Sequence, residues 1–576
     1  MTPTPTAPGR TLRRGDFSTI TEALDCAAGQ ATGVNIHSLR GELVEVLPYS
    51  ALREQACRLG AGLLAVGLEP GDRVALAADS DGDFLRAFFA CQYAGLVPAP
   101  VPLPAPFAGK DAYVAHVRRL MMSAGARAAF APSALAEWFE QAGAGLGLLR
   151  AGAMTELPLA REEALPPPDP FGLCYLQFSS GSTRFPLGVA VTQSALMANV
   201  VAIGGRGLDV SAEDRTVSWL PLYHDMGLVG MLLCSLAFQV SVDLLPTGAF
   251  VRRPGLWLDL ISKRRGSISY APTFGYDLAA RRAGTASLAG LDLASWRVAG
   301  LGGDMIRPEP LRAFSDAYAP AGFDPRAFVA SYGMAEATLA LTLAPLGGGL
   351  RTDMIDVDRL ERYAHAGKPS HSARARAREF ALCGKVLAGH EVEVRDAGGA
   401  VLADRGVGRI FARGPSLMRS YFGEPDETAK ALSPDGWLDT GDLGYSLGGE
   451  IVITGRAKDL IIVHGRNVWP QDLEWSAEQE IGGLRSGDVA VFSIPDVEGE
   501  RVVALIQCRL SDPAARESLR GAVANLIRAR HGLDAEVMLV PPHSLPQTSS
   551  GKLSRSRARS RYLSGGLAKM GERALA

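Results

Sequence analysis

The chain is predicted to be an α/β protein, with a large layered part followed by a small α+β unit. Three observations lead there. Helix-like and strand-like patterns alternate from Asp16 to about Pro345, the texture then shifts to short antiparallel strands, and a smaller helix-and-strand unit begins near Asp459. At 576 residues the chain has room for roughly three or four domain-sized units with ample core.

Residues 1–15, rich in Pro, Thr and Arg with no apolar run, are expected to be disordered and to carry no secretory signal. Ser50–Val66 and Asp83–Ala94 have helical periodicity, and Arg73–Ala77 (RVALA) reads as a strand. Repeated prolines make Gly95–Gly109 an extended loop and Leu165–Pro170 a stiff lead-in to the next strand. That strand, Cys174–Phe178, runs into Ser179, Ser180, Gly181, Ser182 and Thr183, after which Val189–Val191 returns. Further strands are predicted at Ser218–Pro221, Ile268–Ala271, Val298–Leu301 and Ala327–Ser331. Gly227–Phe238 reads as a buried helix, since the apolar stretch ending at Val240 is shorter than the about 20 residues a membrane span needs. Glu391–Arg395, Gly408–Ala412 and Glu450–Thr454 are the short antiparallel strands. The final unit has helices at Gln471–Glu480 and Pro513–Arg530 and strands at Asp488–Phe492 and Val502–Cys508. Asp512 before Pro513 is a favourable helix start. The tail after Gly551 is basic and expected to pack loosely, and no internal repeat is visible.

Net charge is −2, so nothing argues for nucleic-acid or anionic-membrane binding, and no stable membrane insertion is expected. The seven cysteines are scattered, without zinc-ligand or CxxC spacing, which fits reduced thiols in a cytoplasmic protein.

The run 179–183 has phosphate chemistry. Glycine lets the backbone approach a ligand, and free N–H groups with Ser and Thr hydroxyls form a nest for anionic oxygens. An ordinary hairpin loop is the plainer alternative, and the absence of GxxxxGK[ST] excludes a Walker loop. Six islands follow one another: SSGSTRFPLGVAVT (179–192), SWLPLYHDMGLVG (218–230), SYGMAEAT (331–338), GWLDTGDLGY (436–445), GRAKDLIIVHGRNVWPQDLE (455–474) and PQTSSGKLSR (546–555). In this order they resemble the adenylate-forming superfamily of acyl-CoA synthetases, luciferases and peptide-synthetase adenylation domains, over nearly the whole chain. Arg184 after the SGST run, PLYHDMGL and HGRNVWPQDLE are similar to the fatty acyl-AMP ligases in particular.

The resemblance implies a substrate- and ATP-binding domain, about 1–455, of layered α/β with a small β-barrel-like part, and a C-terminal lid, about 456–576. It also implies an insertion that obstructs the movement productive use of CoA requires. We place it at about 351–380, a piece with no strong pattern of its own. The implied reaction turns a fatty acid and ATP into an acyl-adenylate and pyrophosphate. The acyl group then passes to the phosphopantetheine of an acyl carrier protein, either stand-alone or a carrier domain of a polyketide or peptide synthase. Since the chain ends soon after the last island, the acceptor is expected to be a separate protein. ATP and Mg2+ are the implied cofactors. A fatty acyl-CoA ligase and a degenerate, non-catalytic acyl- or nucleotide-binding protein are the alternatives.

Site residues follow from the same resemblance. Attack of one anion on another needs cations and N–H donors, and Lys552 would bridge the acyl carboxylate and the α-phosphate; otherwise it is a solvated surface lysine. Ser179, Ser180, Gly181, Ser182, Thr183 and Arg184 would hold the phosphates. Glu336, with Thr183, would hold Mg2+, unless it only complements a helix start. Tyr332, in the run Ser331, Gly333, Met334 and Ala335, offers a ring face to adenine or is simply core. Gly302, Gly303 and Asp304 form the adenine-side turn. Asp442 would accept the ribose hydroxyls or only shape an Asx-turn. Arg456 would reach the ribose or phosphates, and Lys458 falls at the hinge. His224 would stand between nucleotide and acyl pocket, though a lone histidine is more often a satisfied core residue. Met226, Met231, Phe274 and Gly275 line an acyl tunnel or are mere core. Leu187 stands where the family's phosphate loop usually has lysine, so weaker ATP binding or a slower first step is expected.

Overall fold

The structure is a computed structural model that describes residues 13, 15–104, 109–160, 165–179, 186–284, 288–369, 376–463, 466–496, 499–547 and 553–565. The expectation of disorder at the N-terminus lies almost wholly outside these residues. At the centre, Gly33–His37, Ser241–Leu244, Arg215–Ser218, Ile268–Ala271, Val298–Leu301 and Phe328–Gly333 lie side by side in that order, all parallel. Every position of Ile268–Ala271 and Val298–Leu301 is buried, the condition for parallel strands covered on both faces.

The sheet continues through antiparallel strands Ala340–Leu343, Ala377–Val386, Glu450–Arg456, Leu438–Leu447, Gly408–Arg413 and Glu391–Arg395. These strands do not close into the barrel-like part that was expected. Ala377–Val386 stays hydrogen-bonded to Ala340–Leu343, so the antiparallel strands extend one open sheet instead of curling away from it.

A second, four-stranded parallel sheet contains a strand where a loop was expected. Val97–Val101 pairs with Arg73–Ala77 at the sheet edge. The Val97 amide donates to Asp72 O (2.8 Å), and Val101 O accepts from Ala78 (3.0 Å). Odd positions therefore face the partner strand, while Pro98 and Pro100 face outward, where a missing N–H costs no ladder bond. Leu173–Phe178 and Gly188–Thr192 form the expected hairpin, widened by Ser420–Tyr421.

The buried helix expected at Gly227–Phe238 is instead mostly π-type, Met226–Leu233, with α-helix only at Cys234–Ala237. Its entry is tight: a Cβ on Gly227 would meet Pro221 O at 2.3 Å. A π-turn of this kind often marks a functional site.

The C-terminal unit packs helices Pro470–Glu480 and Pro513–His531 against a three-stranded sheet, with its own core of Leu473, Val491, Val502, Ile506, Val523 and Ile527. Asp512 caps the second helix by accepting from the Ala515 amide at 2.9 Å. The tail does not pack loosely over its described part. Arg555–Leu563 is a helix whose Ala558 is fully buried with Phe492 and Val503. All seven cysteines are free thiols, and among the described residues no helix is long and apolar enough to cross a membrane.

The described part of the stretch 351–380, which has little pattern in sequence, is ordered by pairing. Thr352–Asp356 runs antiparallel to Ala377–Val386, with helix Val357–Tyr363 between them. From it, the Arg378 guanidinium lies 4.1 Å from the Phe380 ring centre and 5.3 Å from that of Trp475, and pairs with Asp472. Glu361, only 2% exposed, takes both Arg376 and, at 2.6 Å, Arg466 Nη2. Burial pushes the Asp472 carboxyl up to about 6 against the pull of Arg378. Arg378→Ala leaves Asp472 buried without its cation and is expected to cost about 3–5 kcal/mol. Urea unfolding checks this; an unchanged midpoint would mean the pair contributes nothing.

Candidate active site

The carboxyl ends of the central parallel strands open onto a cavity of about 330 Å3, the usual place for a ligand in an α/β sheet. Beyond Arg215–Ser218 the chain turns through Trp219–His224, where His224 Nδ1 lies 2.6 Å from Asp225 Oδ1. Asp225 Oδ1 also accepts from the Met226 amide at 2.7 Å, tying His224 to the π-helix start. Beyond Val298–Leu301 come Gly302, Gly303 and Asp304. A Cβ on Gly302 would stand 2.6 Å from Ser331 Oγ, and Gly303 has a φ of +77°. Ser331 Oγ donates to Leu301 O at 2.7 Å, locking the two strand ends together.

The third strand end carries a strained turn. Met334 N donates to Leu339 O and Leu339 N to Ala337 O, both at 2.8 Å. The second bond closes a γ-turn around Thr338, whose φ of 66° and ψ of −54° are rare for a β-branched residue. Such strain costs about 1–3 kcal/mol and persists only when surroundings over-determine it. Here Thr338 is fully buried and its hydroxyl donates to Ser416 O at 2.7 Å. The turn presents Glu336, whose Oε1 accepts from the Tyr421 hydroxyl at 2.8 Å. Burial raises the Glu336 carboxyl above its ordinary range, with the Tyr421 bond acting in the opposite sense.

Asp442 and Arg456 face each other across neighbouring strands, with Arg456 Nε 3.3 Å from Asp442 Oδ1. The Tyr332 hydroxyl donates to Asp442 Oδ2 at 2.8 Å. Asp442 therefore does more than shape an Asx-turn, and its charge raises the Arg456 guanidinium above its ordinary value. Lys458 sits in the short turn Ala457–Asp459. A second cavity of about 180 Å3 lies against the first and shares Gly303, Ser331, Tyr332, Gly333, Arg456 and Lys458. It adds Asp304, Asp442 and, from the C-terminal unit, Leu553–Ser556.

Ser179, His224, Met226, Met231, Met334, Ala335 and Glu336 thus line one cavity. Phe274 and Gly275 do not line it. The Phe274 ring centre lies 5.9 Å from that of Trp219, and a Cβ on Gly275 would meet Trp219 at 2.9 Å, so both belong to an aromatic cluster behind the wall. Gly302 likewise supports the wall without lining it. Ser180, Gly181, Ser182, Thr183, Arg184 and Lys552 lie outside the described residues. The bases of both loops are described: Ser179 N donates to Leu187 O at 3.0 Å, and Gln547 bridges Leu553. Leu187 itself lines the cavity. Asp225, Tyr421 and Ser416 escaped the sequence reading. Asp225 could have been noticed as the neighbour of His224, whereas nothing local distinguishes a lone Tyr421 or Ser416.

A family model described as AMP-binding enzyme matches residues 39–422. The chain belongs to that family. This AMP-binding enzyme is 59% identical, over 98% of each chain, to a Caulobacter vibrioides protein named "Putative acyl-CoA synthetase". It is 33% identical to the long-chain-fatty-acid–AMP ligase FadD26 of Mycobacterium marinum, over 91% of this chain and 92% of the other. A solved structure from a study of fatty acyl-adenylate ligases of E. coli and L. pneumophila superimposes with a TM-score of 0.93 at 42% identity. The match covers 97% of this chain and all of the other.

Gly333 has no room for a side chain, because a Cβ would stand 1.8 Å from Leu339 O. Gly333→Ala is expected to cost about 3 kcal/mol by overpacking the Glu336 turn. Thermal unfolding reads this directly, and a wild-type Tm would refute it.

Proposed function

We propose that the protein is a fatty acyl-AMP ligase that activates a fatty acid with ATP and passes the acyl group to the phosphopantetheine thiol of a carrier protein. The observation that carries this reading is a single cavity with two chemistries. One part is walled by Ile203, Leu208, Met231 and Leu343, and the other presents His224, Glu336, Arg456 and Lys458. Such a cavity suits an alkyl chain ending in a carboxylate next to a polyanion. The likeness to fatty acyl-adenylate ligases and FadD26 supports it.

In the first step a carboxylate oxygen attacks the α-phosphorus of ATP, the bond to the oxygen bridging the β-phosphate breaks, and pyrophosphate leaves with the electron pair. Bringing two anions together is the barrier, so the contribution of the chain is positive charge and positioning. Lys552 would meet both the carboxylate and the α-phosphate, while Arg456, oriented by Asp442, would face the ribose or phosphates. Tyr332 would stack on adenine, with Gly303 and Asp304 opposite. Glu336, joined by Thr183, would hold Mg2+, which supplies charge neutralisation at the phosphates; one carboxylate together with substrate oxygens suits that ion. In the second step the carrier thiol loses its proton, its sulfur attacks the acyl carbonyl, and AMP departs. Rotation about Lys458 would reorient the lid between steps. The domain boundary near 455 and 456 belongs to the same proposal, as does the carrier, either free-standing or part of a synthase.

A fatty acyl-CoA ligase is the second reading, favoured by the name of the Caulobacter relative. The ion pairs from Glu361 and Arg378 to Arg466 and Asp472 weigh against it, since they join the piece read as the insertion to the C-terminal unit, as expected of the obstacle to productive use of CoA. Dodecanoate, ATP and Mg2+ are expected to yield acyl-adenylate that added CoA does not convert, read by mass spectrometry. Efficient acyl-CoA formation would establish the second reading. Lys552→Ala is expected to slow adenylate formation by about 10²–10³-fold; an unchanged rate would remove Lys552 from the chemistry.

A further inference from the structure

We propose that His390 is a positioning residue that holds the Glu336 carboxylate in place through Ser416 and the strained Thr338 turn. What Glu336 does there rests on the acyl-adenylate reading above; the chain of contacts rests on distances. Glu336 stands on a turn that cannot support itself, because the backbone at Thr338 is strained and only its surroundings fix it. Those surroundings are largely one segment, residues 414–421, which meets the turn at three points. Ser416 O accepts from the Thr338 hydroxyl at 2.7 Å, Met418 N donates to Glu336 O at 2.8 Å, and the Tyr421 hydroxyl donates to Glu336 Oε1 at 2.8 Å.

His390 fixes where that segment begins. Its Nε2 lies 2.6 Å from Ser416 Oγ and its Nδ1 3.1 Å from Ala388 O. A carbonyl only accepts, so Nδ1 carries the proton and Nε2 accepts from the Ser416 hydroxyl. Burial lowers the imidazole below its ordinary value, which keeps it in this neutral form. The ring also fills the space over Gly414, where a Cβ would stand 2.4 Å from His390 Cδ2. The loop that carries His390 is itself tied to the strand after the turn, since Leu387 N donates to Leu341 O at 2.9 Å. His390, Ser416, Thr338 and Glu336 therefore form one continuous chain of contacts, in which no residue is more than 9% exposed.

The direction of the effect follows from this geometry. His390 lines neither cavity, so it reaches the site only through its neighbours. Ser416 serves two of them at once, giving its hydroxyl to His390 and its carbonyl to Thr338. Loss of the imidazole leaves that hydroxyl buried without its acceptor and empties the space over Gly414. Ser416 is then free to shift, the γ-turn loses the bond that offsets its strain, and Glu336 samples more than one position. A carboxylate that must meet Mg2+ and phosphate oxygens is sensitive to such freedom, and outer partners of this kind typically change affinity or rate about 10–100-fold. The apolar wall at Ile203, Leu208 and Met231 has no part in this chain of contacts.

The test uses the full-length protein with His390→Ala, His390→Gln and Ser416→Ala. Amide hydrogen exchange in the ligand-free protein is expected to quicken about tenfold at Leu339 and Met418 in His390→Ala, the two amides bonded within and onto the turn. Single-turnover formation of dodecanoyl-adenylate is expected to fall about 30-fold, and the Mg2+ concentration for half-maximal rate to rise about tenfold. KM for dodecanoate is expected to stay within about threefold of wild type. Glutamine places an acceptor at a similar reach and should restore most of the rate. Ser416→Ala should resemble His390→Ala, and combining the two should add nothing, because they act as one unit. Wild-type exchange and adenylation rates in His390→Ala would overturn the inference. So would additive losses in the double variant, or a lower Tm with unchanged Mg2+ dependence, the pattern of a merely structural histidine. Should His390→Ala fail to fold, Ser416→Ala carries the same expectations. If wild-type protein makes no adenylate, the ligase reading falls, while the exchange comparison still decides whether His390 holds the turn.

Discussion

Parallel strands buried on both faces must release the chain at their carboxyl ends, and this constraint shapes the site more than any single contact. Between Ser218 and Glu336 three of these releases deliver His224, the Gly302–Asp304 turn and the Glu336 turn to one edge of the sheet. Backbone crowding there explains the glycines. A side chain at Gly227 would run into Pro221 O, at Gly302 into Ser331 Oγ, and at Gly333 into Leu339 O. It also explains the strain at Thr338, held by burial and by the bond to Ser416.

The second theme is charge held in place by its neighbours. Asp442 holds Arg456 and Tyr332 together, and Glu336 leans on Tyr421. Without substrate these groups satisfy one another, so a polyanion entering the cavity meets a preorganised field rather than loose side chains. Leu187 is the exception. Its apolar side chain lines the same cavity wall as Glu336 and Arg456.

Arginines organise the C-terminal unit at two places. Arg378 and Arg466 pair with Asp472 and Glu361 across the border of the C-terminal unit, while Arg555 pairs with Asp459 and Glu474, joining the turn Ala457–Asp459 to helix Pro470–Glu480. Buried ion pairs of this kind add little net stability over apolar packing, but they fix one geometry sharply, because removing either partner strands a charge.

Much was legible in sequence because it depends on short-range pattern. The central strands Ile268–Ala271 and Val298–Leu301, the 173–192 hairpin and the Asp512 cap follow from apolar runs and capping chemistry. The order of the six islands brought out the family and most of the residues around the cavity. Long-range partners decided the rest. Pro98 and Pro100 sit in a strand only because the neighbour lies on the opposite side, and Thr352–Asp356 is a strand only because Ala377–Val386 pairs with it. The π-turn at Met226–Leu233, the exclusion of Phe274 and Gly275 from the cavity wall, and the contacts of Tyr421, Ser416 and Arg555 were likewise invisible. Each depends on what stands opposite in space, which periodicity along the chain does not encode.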